Sequence, residues 1–205
     1  MFCRPMTIAA LSAVLTLTFS SFAAAKRVMR FEVGAAVGGS MDAGGGDPQS
    51  VEGGGVIAGT LDFSDGPGLS FGLKGGIAGA GDTQDQFFWM ATDAGLLARY
   101  TVPLGSLKLS GYLVGGGSML QLEPEFVLTT DRIIDVGYYA EGGVDLILPI
   151  TEGISMMVAV HHSIRGYGEV EGSVTPLLAS GEVSVTVEDF TVQHTMAVAG
   201  VALSW

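Results

Sequence analysis

One pattern repeats from residue 27 to residue 205. Apolar side chains return at every second position in eight segments: 27–39, 55–63, 69–80, 87–102, 107–117, 133–148, 154–165 and 190–205. In the first, Met29, Phe31, Val33, Ala35 and Val37 share one face, opposite Arg30, Glu32, Gly34 and Ala36. In the sixth, Ile134, Val136, Tyr138, Val144, Leu146 and Leu148 oppose Asp135, Tyr139, Glu141 and Asp145. A period of two belongs to β-strands, whose successive side chains point to opposite faces. Nearly every charge in these segments falls on one of the two faces.

The connections have a rhythm of their own. Residues 64–68 (Ser-Asp-Gly-Pro-Gly), 103–106 and 149–153 are short turns rich in Gly and Pro. Residues 40–53, 81–86, 118–132 and 166–189 are longer and more polar. Short and long alternate, as in membrane barrels with short turns on one side and loops on the other. Composition agrees. Hydrophobic residues make up 48% and charged residues 15%, against a usual ~25% charged. Yet after residue 25 no run approaches the ~18–20 apolar residues of a membrane helix. Thirty-two glycines also disfavour helix. The expected fold is all-β, an eight-stranded antiparallel up-and-down transmembrane barrel. A soluble sandwich or lipocalin-like barrel would share the alternation. Strand length and aromatic clusters at strand ends favour the membrane: Phe87, Phe88 and Trp89 at one end, Phe63, Tyr100 and Trp205 at the other.

Residues 1–25 read as a cleaved secretory signal peptide. Arg4 precedes an apolar stretch over 7–19, and Ala23-Ala24-Ala25 forms a small-x-small cleavage site. The barrel domain then covers 26–205. The single cysteine, Cys3, falls within the leader, so the fold uses no disulfide. A formal charge of −12 excludes a typical nucleic-acid binder.

In a membrane barrel the charged face must turn inward, because Lys or Arg facing lipid costs ~2–4 kcal/mol at the midplane. The lumen of eight strands is narrow and filled by side chains. The expected lumen network is Arg30, Glu32, Lys74, Asp93, Arg99, Lys108, Glu141, Asp145, His161 and Arg165. Reflection about the connections sets Lys74 opposite Asp93, Glu141 opposite His161 and Tyr139 opposite Ser163. It also groups Arg99, Lys108 and Asp145 near the short-turn end. Interior glycines (Gly34, Gly72, Gly76, Gly95, Gly116, Gly137, Gly143) allow either tight packing or cavities.

With its leader, alternating strands and terminal strand ending on an aromatic, the chain resembles the outer-membrane protein A-like barrels of Gram-negative bacteria. The resemblance covers 26–205 and implies a cell outer-membrane location. It also implies that Ala199, Val201, Leu203 and Trp205 form the signal read by the outer-membrane assembly machinery. Outer-membrane lipid and lipopolysaccharide are then the surroundings.

Three functions compete. The long connections hold thirteen of the 21 acids, among them Asp42, Glu123, Glu169, Glu171, Glu182, Glu188 and Asp189, against Arg132. Carboxylates suit divalent cations, which could bridge this rim to lipopolysaccharide. This favours a non-enzymatic structural or surface-interaction role without a cofactor. A narrow porin-like channel for small solutes is the alternative. The third is a lipid A-modifying hydrolase: His161 and Ser163, with Glu141, Glu169 or Glu171, make a Ser/His/acid set. That pair is similar to the outer-membrane lipid A deacylases, although Ile164 stands where they have Asn. The alternation 182–187 is expected to extend the last hairpin above the membrane.

Overall fold

The computed structural model describes residues 26–43, 48–82, 87–124, 132–176 and 181–205; the expected leader lies outside them. The described residues form β1 (Val28–Ala43), β2 (Gln49–Asp62), β3 (Gly68–Asp82), β4 (Phe87–Leu104), β5 (Leu107–Pro124), β6 (Ile133–Pro149), β7 (Ile154–Gly166), β8 (Val170–Val174), β9 (Val183–Val187) and β10 (Phe190–Ser204). Eight of them close an antiparallel barrel in the order β1-β10-β7-β6-β5-β4-β3-β2. The seam is β1 against β10, from Val28 opposite Ser204 to Ala43 opposite Phe190. It is sealed below by two bonds. Arg27 N donates to Trp205 O at 3.0 Å, and Trp205 N donates to Arg27 O at 3.1 Å. Closure leaves no open sheet edge in the wall, as hydrocarbon demands.

The two faces invert a soluble protein. Leu96, Leu113, Val136 and Ile57 are about 70% exposed on the outer wall, while Arg99, Asp145, Asp62 and Arg165 are sealed inside. An apolar exterior with a charged interior is stable only if the exterior solvent is lipid. Strands β4 and β5, at 18 residues each, exceed the ~9–11 that a tilted strand needs to cross. Their ends therefore stand above the membrane. Much of the expected connection 40–53 is likewise strand, since β1 runs to Ala43 and β2 starts at Gln49.

The register differs from reflection by one pair at two connections. Lys74 faces Gly95, and Asp93 faces Gly76. The cause is that β3 continues to Asp82, which moves the centre of reflection by one residue and the register by two. Glu141 faces Ser163, His161 faces Gly143, and Tyr139 faces Arg165. Here the turn is asymmetric: Ile150 N and Thr151 N both donate to Ile154 O, at 2.9 and 3.0 Å.

Two further expectations are corrected. Residues 183–187 do not extend the last barrel hairpin. They pair with β8 in a separate two-stranded sheet, Val170 opposite Val187 and Val174 opposite Val183. The break comes at Gly168 (φ 68°) and Asp189 (φ 46°), a backbone region that Gly and Asp enter most readily. Phe190 N donates to Gly168 O at 2.8 Å and ties the base of this hairpin to the wall. The hairpin lies over the long-loop mouth, its buried Val170, Val174, Val185 and Val187 packed with Met41, Leu120, Leu122, Ile133, Phe190 and Val192. Gly172 permits the approach, because a Cβ there would sit 2.6 Å from Ile133 Cγ1. Trp89 is the second correction. It is no belt residue: it is fully buried in this apolar plug.

Candidate functional site

Inward positions on all eight wall strands build a polar column with three tiers. In the tier nearest the short turns, Arg30 Nε donates to Asp62 Oδ2 at 2.7 Å. Arg99 lies 3.4 Å from the other oxygen of Asp62 and is ion-paired with Asp145. Thr101 and Ser110 hydroxyls meet at 2.9 Å. Lys108 does not join this tier. It is partly exposed at the rim and pairs with Asp65 at 3.0 Å, because its position next to the turn leaves its flexible stem free to reach water.

In the middle tier Lys74 Nζ is shared by Glu32 (3.0 Å) and Glu141 (2.5 Å). Glu141 also accepts from Tyr112 Oη at 2.8 Å and from Tyr139 Oη. His161 Nδ1 lies 3.1 Å from Tyr112 Oη and 3.6 Å from Glu141 Oε1. Tyr112 lies between the two tiers, with Arg99 4.9 Å and Lys74 5.1 Å from its ring centroid.

In the upper tier Arg165 binds Asp93 with Nε at 3.0 Å and Nη2 at 2.5 Å. Ser118 Oγ donates to Asp93 at 2.6 Å and lies 2.6 Å from Tyr167 Oη. Tyr167 closes this tier from the loop after β7. Burial pushes its hydroxyl up to about 12, so it stays protonated at neutral pH. Arg165 also stacks 5.2 Å from Tyr139 and 5.7 Å from Trp89. Above Trp89 the apolar plug begins.

The structure thus brings Arg30, Glu32, Lys74, Asp93, Arg99, Glu141, Asp145, His161 and Arg165 into one buried column. Lys74 serves Glu141 and Glu32 rather than Asp93, whose cation is Arg165. The column also holds Asp62, Tyr112, Ser118, Tyr167 and His194, which the expected network omits. For Asp62, Tyr112 and His194 the signal is present in the sequence, since each is a polar residue on the inward face of an alternating strand. The interior glycines serve tight packing and leave no cavities beneath them. A Cβ on Gly34 would sit 2.6 Å from Val198, one on Gly95 2.8 Å from Val114, and one on Gly143 2.7 Å from Tyr112.

The Ser/His/acid set is not assembled. Ser163 Oγ lies 3.2 Å from His194 Nε2, not beside His161. A cation also stands against His194: Arg165 Nη1 lies 3.2 and 3.4 Å from its two ring nitrogens. A general base needs an acid behind it to hold its tautomer and its developing charge, and Arg165 supplies neither. Ser163 is fully buried beneath the plug, so no lipid reaches it. Ser163→Ala and His194→Ala should each leave the lipid A of producing cells unchanged by mass spectrometry. A new acylation pattern in either would restore the hydrolase.

Other expected features are on the surface. Ala199, Val201, Leu203 and Trp205 lie on the outer face of β10. Glu169, Glu171, Glu182, Glu188 and Asp189 are exposed at the long-loop end, and Glu123 lies 3.6 Å from Arg132. Asp47, Asp85, Glu125 and Asp131 lie outside the described residues. Among the described residues no three His, Cys, Asp or Glu side chains converge on a metal position.

No protein-family model matches the chain, and no curated protein matches it in sequence. Solved structures do. The barrel is similar to a major outer membrane protein from Thermus thermophilus, with TM-score 0.54 and 14% identity over 87% of this chain and 99% of that one. Neisserial surface protein A aligns with TM-score 0.49 and 10% identity over 88% and 97%. The outer membrane protein OprG from Pseudomonas aeruginosa aligns with TM-score 0.45 and 14% identity over 89% and 96%. At such identities the likeness is one of fold. The closed barrel, apolar wall and charged interior, with the likeness in fold to the Thermus protein, make the chain a small eight-stranded β-barrel of the outer-membrane type.

Proposed function

We propose that this barrel is a non-enzymatic, non-conducting outer-membrane protein that presents its long-loop end for structural or surface contacts. The observation that carries this reading is a lumen filled twice over. Charged side chains at ion-pairing distance fill its lower and middle parts, and the apolar plug beneath β8 and β9 fills the top. A pore needs a continuous wet path, and neither filling provides one. The exposed acids around the hairpin give the external end negative potential. Divalent cations bridging it to lipopolysaccharide phosphates are the partner chemistry this charge suits.

Planar-bilayer recording of the refolded protein tests the reading. No steady conductance is expected, and none from a variant in which 169–188 is replaced by a short Gly-Ser linker, because Trp89, Leu120 and the polar column stay in place. Steady single-channel openings in the intact protein would instead support the solute channel.

A further inference from the structure

The outer wall carries a polar pair where lipid is expected. His162 points outward from β7 between Val160 and Ile164, the opposite way to His161. Its Nδ1 lies 3.1 Å from Thr195 Oγ1 on β10. Among the described residues its Nε2 has no partner. In water that would be unremarkable. In hydrocarbon an unmatched imidazole nitrogen is costly.

The surface beside the ring is shaped. Across the sheet the row runs Leu113, Gly142, His162, Thr195. Gly142 sets no side chain between Leu113, which is 70% exposed, and the imidazole; Leu113 leans part of the way over it, since a Cβ on Gly142 would sit 3.2 Å from Leu113 Cδ2. Around it lies a shallow open groove of about 530 Å³, walled also by Val144 and Val160 and reaching Gly111. A Cβ on Gly111 would meet nothing within 4 Å. The packing of the barrel therefore does not require that glycine; the space it leaves faces outward.

Depth identifies the occupant. Thr195 lies two residues below exposed Gln193, and His162 lies four residues below Gly166, where β7 ends on the long-loop side. This is the outer-leaflet half of the wall. Lipid tails cannot bond an imidazole, but the amide and ester carbonyls and chain hydroxyls at their upper ends can. A second barrel fits poorly, because two convex walls would meet on the projecting Leu113 and Val160 rather than at the ring. We infer that the groove seats an acyl chain of outer-leaflet lipopolysaccharide, with His162, buttressed by Thr195, hydrogen-bonded to that chain's polar linkage. The inference rests on the outer-membrane placement and is independent of whether the lumen conducts.

Native mass spectrometry of the refolded protein in lipid-free detergent, with short-sugar lipopolysaccharide and phosphatidylethanolamine as separate probes, tests it. His162→Leu and Gly142→Leu should each weaken lipopolysaccharide retention roughly five- to tenfold, about one hydrogen bond in a membrane. Ala94→Leu, on an exposed position of β4, should not. Unheated gel mobility certifies that each variant is folded. Unchanged retention in folded His162→Leu overturns the site. So does equal, equally lost phosphatidylethanolamine retention, which would make the occupant a phospholipid, or dimers abolished by the same variants, which would make it a second copy.

Discussion

Lys74→Met is expected to destabilise the barrel by about 3–5 kcal/mol, the range for breaking a buried ion pair from one side. Lys74 is the cation for two carboxylates, Glu32 at 3.0 Å and Glu141 at 2.5 Å, and all three are buried. Removing it leaves two like charges facing each other away from water. Tyr112 and Tyr139 hydroxyls still bond Glu141, but a neutral donor does not offset two negative charges. Urea-driven unfolding and refolding in detergent, followed by unheated gel mobility, should show the midpoint falling sharply. The triple variant with Glu32→Gln and Glu141→Gln should recover most of the loss, because replacing a whole buried ionic cluster is far less costly than breaking it. A wild-type midpoint for the single variant would mean that the column is wet and screened, and the closed-lumen reading would fall with it.

Gly116→Val is expected to prevent closure, or to cost at least the ~1–3 kcal/mol of an overpacked core. A Cβ on Gly116 would press into the Ala94 carbonyl and lie 2.5 Å from Gly95 Cα on the neighbouring strand. Those atoms are backbone and cannot yield without breaking the β4–β5 ladder. Its sequence neighbour provides the control. A Cβ on Gly115 meets nothing within 4 Å, so Gly115→Val should refold with a midpoint within about 0.5 kcal/mol of wild type, as surface changes usually do. Equal behaviour of the two variants would show that the wall adjusts freely there.

That Lys74, Glu32 and Glu141 face inward was legible in the sequence, because along an unbulged stretch of strand the direction of a side chain follows its parity. Which groups they meet was not. One residue of asymmetry in a connection moves every facing pair by two positions, and β3 ending at Asp82 was enough to move Asp93 from Lys74 to Arg165. Trp89 shows another limit. Its neighbours Phe87 and Phe88 made it look like part of an interfacial belt, although its own parity places it inward with Asp93. The chemistry of the hydrolase candidate failed in the same way: His161 and Ser163 share a face, but it is His194, directly opposite on the neighbouring strand β10, that meets the serine.

What the sequence determined by itself is therefore local and periodic: eight wall strands, their inner and outer faces, the burial of charge in the lumen, and the role of 190–205 as the strand that meets the first. Each follows from hydrophobic period, turn chemistry and the need to keep charge out of lipid. Only the tertiary structure decided which cation serves which carboxylate, that interior glycines are closed by neighbouring backbone, and that β8 and β9 fold over the mouth instead of lengthening the wall. The physical reason is that these depend on register and on contacts across the lumen. Strands far apart in the chain approach there to within a few ångströms, and nothing in the alternation of one strand records which side chain of another it will touch.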